Sequence, residues 1–245
     1  MRLLGIDTAS SRASAAIVEN GRLISEKIHR PNASTAARTA GSRNGHAENL
    51  LPLIDSALQA AAFSLSDISG YAVAIGPGSF TGLRIGLSTV KGLSYGSGLP
   101  VTGVSTLHAI AARISDFNGV ICPVLDARKK EVYAAMFRAG ASFLERLSDD
   151  VVVSCDRLGE ILRQFAPSEP ILLAGDGASV YGAPLIASVG SQVRICREET
   201  LPTVATGVAL LGEACLARGT ALPRALVAPR YLRAAGAELW PRNSA

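Results

Sequence analysis

The 245-residue chain is poor in the side chains that metal, redox and secreted proteins rely on: three histidines, four cysteines, one tryptophan and two methionines. Its cysteines (Cys122, Cys155, Cys196 and Cys215) stand far apart, with no CxxC pair and no companion histidine. That spacing excludes a zinc finger and offers no disulfide framework, and reduced thiols in a cytosolic protein fit it. Aromatic residues are only 5% of the chain and the basic residues are scattered, so no stacking platform or basic motif for nucleic acid stands out. No apolar run is long enough to cross a bilayer, and the first meets Asp7 too early for a signal peptide. The chain reads as soluble and cytoplasmic.

What is present is small and apolar. Hydrophobic residues make up 48%, with 24 glycines and a net charge of +4. So mild a positive balance is compatible with a nucleic-acid encounter without requiring one. Many small and branched residues with few aromatics suit α/β layers.

Leu3 to Thr8 is a short buried strand, Ala13 to Glu19 a second, and Asn20-Gly21 is a two-residue hairpin signal leading into a third over Arg22 to His29. Residues 30–45 collect Ser, Thr, Asn, Gly and three arginines (Arg30, Arg38, Arg43) without periodicity and read as a mobile surface loop or a frayed helix start. Helical spacing of Leu50, Leu51, Ile54, Ala57, Leu58 and Ala61 predicts a helix over His46 to Phe63. A strand (Tyr71 to Ile75), a helix from Thr81, a strand (Leu99 to Val104) and a helix capped by Ser105-Thr106 complete a β-β-β-α-β-α-β-α series.

A second series repeats that order without sequence identity. Its strands are expected over Val120 to Asp126, Glu131 to Arg138, Phe143 to Val153, Pro170 to Ala174 and Val193 to Cys196. Its helices are Asp156 to Phe165, one after Gly175-Asp176-Gly177, and Thr203 to Arg218. Asp7 and Asp126 each end the first strand of their half; Gly76-Pro77-Gly78 and Gly175-Asp176-Gly177 each follow the fourth. Two such halves face to face bring both aspartates and both turns to one cleft. This is the layout of the α/β actin-like ATPase and sugar-kinase superfold, with two ribonuclease-H-like halves expected at 1–115 and 116–245. Fold analogy alone does not establish nucleotide binding.

The stretch Ala72 to Gly98 organises the first half. A buried strand, a glycine turn and a helix start place free backbone N–H groups and a helix dipole at a sheet end, a geometry suited to phosphate. Gly78, Gly82 and Gly86 also recur every fourth residue, which leaves one helix face bare for close packing. The loop alone leaves both readings open.

Seven motifs occur in order: GIDTAS, H-x-E-x-L-L-P-x-I-D (His46 to Asp55), GPGSFTGLRIG (Gly76 to Gly86), GVSTLHA (Gly103 to Ala109), DARKKEVY (Asp126 to Tyr133), GDGASVY (Gly175 to Tyr181) and PRYLR (Pro229 to Arg233). Over nearly the whole chain they resemble the TsaB family, bacterial accessory subunits for threonylcarbamoyladenosine at position 37 of tRNA. The resemblance implies a non-catalytic scaffold whose two N-terminal helices pair with those of TsaD, the catalytic paralogue. It also implies a homodimer through the same face when TsaD is absent, and a small ATPase, TsaE, joining the pair. The tRNA is then met indirectly, through the complex. On this sequence the implied interface falls on His46, Leu50, Leu51, Ile54, Leu83, Arg84, Leu87 and Val90, so charge at Leu50 or Leu87 is expected to abolish activation without unfolding. The loop at 30–45 is longer and richer in arginine than the family's usual approach to this helix, which puts direct tRNA contact by Arg30, Arg38 or Arg43 in question.

A catalytic TsaD-type subunit carries H-x-x-x-H on its first helix, whereas here Leu50 stands four residues after His46. A lone His46 cannot complete a three-ligand metal site, and no metal is expected. Asp7, Thr8, Gly76, Gly78, Asp126, Gly175 and Gly177 are the candidate nucleotide contacts. Asp7 either orders water on nucleotide-bound magnesium or, with somewhat more weight, caps its own turn. No cofactor is required, and weak ATP or ADP binding is left open. Ser79 has no histidine near it in sequence, so no hydrolase triad is supported. The leading alternative is a stand-alone small-molecule kinase or ATPase of the same fold, which predicts turnover without a partner; a third reading is a homodimeric binding module with no enzyme partner.

Overall fold

The structure, a computed structural model, describes residues 1–29, 45–141, 143–221 and 223–232, and for residues 45–48 the backbone alone. The expectations for Arg30, Arg38 and Arg43, and Arg233 of the last motif, lie outside the described residues.

The first sheet has five strands: β1 (Arg2–Asp7), β2 (Ser14–Glu19), β3 (Arg22–Ile28), β4 (Gly70–Gly76) and β5 (Val101–Ser105), ordered β3-β2-β1-β4-β5. β1 pairs antiparallel with β2 and parallel with β4. Asn20 and Gly21 adopt φ of 52° and 75°, the left-handed pair that their tight hairpin requires. Helices α1 (Gly45–Ala60) and α2 (Phe80–Ser97) cover one face of this sheet. Leu50, Ile54, Ala57, Leu87 and Val90 meet Leu4, Ile6, Ile17, Tyr71 and Val73 there. Ser79 caps α2 by accepting from the Gly82 N–H at 3.2 Å, and left-handed Gly98 (φ 75°) ends it.

The second half is built on β6 (Gly119–Asp126), β7 (Glu131–Ala134), β8 (Phe137–Gly140), β9 (Phe143–Arg146), β10 (Val151–Ser154), β11 (Ile171–Ala174) and β12 (Val193–Ile195). Its main path, β10-β7-β6-β11-β12, repeats the order of the first sheet. The expected strands at 131–138 and 143–153 are each two strands. Pro123, in the middle of β6, supplies the reason for the first split: it has no N–H to donate, and it faces the gap between β7 and β8. Val124 pairs with Ala134 and Ile121 with Phe137, so the register continues across the break. At that level Met136 turns aside to Ser148, whose Oγ accepts its N–H at 2.9 Å.

Helices α4 (Cys155–Phe165) and α5 (Asp176–Val189) cover this sheet, while α3 (Thr106–Ala112) and α6 (Val204–Ala217) cross between halves. From the first half, α3 sends Leu107 and Ile110 into the core of Ile121, Leu125 and Phe137. From the end of the chain, α6 packs Val208 and Ala209 against Leu3, Val18 and Ala72. The two helices cross closely: a Cβ on Gly207 would lie 2.0 Å from the Ala109 carbonyl oxygen. Glu26 of β3 accepts from the Thr203 N–H at 2.7 Å, at the start of α6, and Glu213 accepts from the hairpin N–H groups of Asn20 and Gly21 at 2.8 and 2.6 Å. Carboxylate at a helix N-terminus is favoured by the dipole and by the unpaired N–H groups. The last helix is thus held on the first sheet at both ends.

Candidate functional site

The glycine turn after β4 is filled by the chain's own backbone. The Ser79 N–H donates to the Ala9 carbonyl at 2.8 Å, and the Thr8 hydroxyl donates to the Gly82 carbonyl at 2.7 Å. A Cβ on Gly82 would sit 1.8 Å from the Thr8 carbonyl oxygen, and one on Gly86 would lie 2.4 Å from the Thr8 hydroxyl. The bare helix face expected from the glycine repeat receives the end of β1. Gly76 lies beneath the Arg230 carbonyl, and Gly78 beneath that of Ala9. Asp7 is fully buried and accepts from the Ala9 N–H at 2.8 Å and from the Ser10 hydroxyl, holding the turn that carries Thr8.

The second turn is closed by side chains. The Gly175 N–H donates to Glu198 Oε1 at 2.6 Å, and Arg113 pairs with the other oxygen of Glu198 while donating to the Pro202 carbonyl at 3.0 Å. Asp126 accepts from the Arg128 N–H at 2.8 Å and the Tyr181 hydroxyl at 3.1 Å. Asp176, the first residue of α5, accepts from the Asp126 N–H at 3.2 Å and from the Ser11 side chain. Burial raises the Asp176 carboxyl above the ordinary carboxylate range, and the neighbouring Asp126 charge pushes the same way. Gly177 packs against Val124 of β6.

Between the halves lies a cavity of about 460 Å³, lined by Ser10, Ser11, Arg12 and Arg113 and by Glu26, Asp176, Glu198 and Glu199. Of the residues expected at one cleft, Gly175 lines this cavity, whereas Asp7 is fully buried in its own turn and neither Asp126 nor Gly76 and Gly78 belong to the lining. The lining does not fit a nucleotide polyphosphate: Glu198 takes the N–H that would meet phosphate, and carboxylates outnumber the two arginines. The sequence reading missed Glu26, Arg113 and Glu198, which belong to no motif and meet only through the helix crossing. Among the described residues, no group of three His, Cys, Asp or Glu is placed to hold a metal ion. His108 is half-buried, stacked 5.1 Å from the Phe137 ring. Burial pushes its pKa down to about 4, helped by Arg146 and opposed by Asp150.

The outer surfaces of α1 and α2 correct the expected interface. Leu50, Ile54, Leu83, Leu87 and Val90 are at most 7% exposed and belong to the chain's own core, so they are unavailable to a partner. The helical period of these residues marks the face turned to the sheet. Leu51 (58% exposed) and Arg84 do face outward. His46 opens α1, and its side chain lies outside the described residues. The exposed surface of the two helices also includes Pro52, Asp55, Ser56, Gln59 and Ala60 on α1 and Thr81, Ser88, Gly92, Tyr95, Gly96 and Ser97 on α2. Cβ atoms built on Gly92 and Gly96 would meet nothing within 4 Å. So α2 has two glycine faces, one pressed on β1 and one bare.

The family model for TsaD, tRNA N6-adenosine threonylcarbamoyltransferase, matches residues 38–239. The chain belongs to the TsaD family. Its likeness within the family runs to TsaB. The tRNA threonylcarbamoyladenosine biosynthesis protein TsaB of Bacillus subtilis (strain 168) is 29% identical over 181 residues, 74% of this chain and 73% of that protein. TsaB of Escherichia coli (strain K12) is 36% identical over 140 residues, 56% of this chain and about half (55%) of that protein. A Pseudomonas aeruginosa structure, described as an uncharacterized protein with similarity to peptidase YEAZ, superposes with a TM-score of 0.73 at 25% identity, covering 95% of this chain and 99% of that one. A ROK hexokinase from Thermus thermophilus (TM-score 0.51, 13% identity, 89% of this chain and 100% of that one) shares the actin-like fold. Among the described residues no helix is long and apolar enough to cross a membrane.

Proposed function

We propose that the chain is a non-catalytic accessory subunit that pairs with TsaD in forming the threonylcarbamoyl group on adenosine 37 of tRNAs reading codons that begin with A. The observation that carries this reading is the bare outer face of α2, where Ser88, Gly92 and Gly96 surround Tyr95, a tyrosine 84% exposed. Small residues let a partner helix approach closely, and an exposed tyrosine between them is the kind of anchor that interfaces favour. Leu51 on α1 adds apolar surface beside it.

Pairing acts by population shift: TsaD bound through its own helices is held in the arrangement competent for transfer. The same face closes a homodimer when TsaD is absent, TsaE joins the TsaD-bound form, and tRNA is met through the complex in the cytoplasm. No nucleotide or metal is required of this chain. The stand-alone kinase or ATPase reading is disfavoured by the carboxylates around the cleft and by Glu198 on the Gly175 N–H.

The test is Ser88→Arg, which places a long charged side chain on the bare face without entering the core. The variant is expected to fail to support tRNA modification by TsaD in a reconstituted reaction, with its melting temperature unchanged. Full modification by the variant overturns the assignment of the face.

A further inference from the structure

Residues 223–232 run as a strap along the flank of α2. Near the C-terminal end of the helix, the Arg224 guanidinium lies 5.8 Å from the centre of the Tyr95 ring. Val227 is buried and packs over Gly103 of β5. The Arg230 N–H then donates to the Ile75 carbonyl at 2.6 Å, its side chain reaches buried Asp150 at 3.4 Å, and the Tyr231 ring lies tilted against Phe80, 4.9 Å between centres, at the N-terminal end of α2. Arg84 lies 4.0 Å over the Phe80 ring and donates to the Tyr231 hydroxyl at 3.2 Å. The strap is thus fixed to both halves of the chain and to both ends of α2.

Its outward side is not that of a simple clamp. Leu226 is 63% exposed and Tyr231 41%, so the strap adds apolar surface continuous with Tyr95. Two arginine–aromatic posts, Arg224 on Tyr95 and Arg84 on Phe80 and Tyr231, stand about 22 Å apart at the helical rise. Neither guanidinium has a carboxylate partner among the described residues. Between them the helix surface is the small-residue floor of Ser88 and Gly92.

We infer that the strap is a third wall of the TsaD-docking face, beside α1 and α2, and that its two posts receive carboxylates of the TsaD helix pair. This rests on the reading of the outer α2 face given above. Posts of fixed spacing on a preorganised wall set the register of the incoming helices, whereas the small-residue floor sets only how closely they approach. The strap is then the element that discriminates the proper partner.

The test is the dissociation constant for TsaD from the same organism, measured at two salt concentrations for Arg224→Glu, Tyr231→Ala and Ser88→Arg. Arg224→Glu and Tyr231→Ala are each expected to weaken association at least tenfold, with reduced salt dependence for Arg224→Glu. Backbone hydrogen exchange over 223–232 of the unaltered chain, expected to slow when TsaD is added, separates docking from any loss of folding in a variant. If only Ser88→Arg weakens binding and exchange in the strap is unchanged, the strap is no part of the face and the inference fails alone. If Ser88→Arg also binds normally, the reading of the α2 face falls and the inference with it. A loss confined to self-association assigns the wall to a second copy of this chain and overturns TsaD as its occupant.

Discussion

Glu198 caps Gly175: its Oε1 accepts the glycine N–H at 2.6 Å, where the dipole of α5 would otherwise attract an anion. Arg113, 7% exposed, holds the carboxylate in place. A helix start of this fold that is suited to phosphate is therefore occupied by the chain itself. We expect ATP and ADP at millimolar concentration to leave the melting temperature unchanged. Calorimetry showing micromolar nucleotide affinity that is lost on Asp7→Ala would instead support the kinase or ATPase reading.

The two glycine faces of α2 separate by substitution. Gly82→Ala puts a methyl group 1.8 Å from the Thr8 carbonyl oxygen, so the backbone must move. Overpacking of this kind costs about 1–3 kcal/mol or more. Gly92→Ala meets open space and gains about 0.5–1 kcal/mol from helix propensity. Denaturant unfolding checks both signs, and comparable destabilisation by the two substitutions would contradict the packing described.

Leu87 and Leu51 lie on opposite sides of the helix layer, at 7% and 58% exposure. Leu87→Asp buries an unpaired charge in the core and is expected to unfold the chain or cost several kcal/mol, on the order of a large-to-small core substitution or worse. Leu51→Asp is expected to leave stability within about 0.5 kcal/mol, as for other surface changes, and to weaken association with TsaD. Thermal melts paired with a binding assay distinguish the two.

His108 provides a pH signature. Its folded pKa, near 4, lies below the ordinary histidine value of 6.5. Above 6.5 it is neutral folded or unfolded and contributes no pH dependence. Between 6.5 and about 4 the unfolded chain binds the proton and the folded one does not, so stability falls as pH falls. Replacing it by a neutral isostere, His108→Gln, is expected to flatten the stability profile in that window. An unchanged slope would place its titration elsewhere.

The succession of elements in the first half, the Asn20-Gly21 hairpin and the recurrence of a strand-ending aspartate and a glycine turn in each half were legible because each depends on local pattern or on an internal repeat. The split of β7 from β8 was not. Its cause, Pro123, lies on a neighbouring strand, and only the antiparallel register brings it opposite the break. Periodicity located α1 and α2 but could not say which surface lay beyond their apolar stripe, because Leu50 and Leu87 serve the sheet beneath them. Glu26, Arg113 and Glu198 escaped for a different reason. They meet because α3 and α6 cross between halves, a relationship that no stretch of sequence carries by itself.

The central claim is association through the outer helix face, and solution mass tests it most directly. Light scattering on this chain alone, on TsaD from the same organism and on their mixture is expected to show a heteromeric species forming at the expense of a homodimer, and not forming with Ser88→Arg. Chains that remain separate in the mixture, with and without nucleotide and TsaE, would contradict the account.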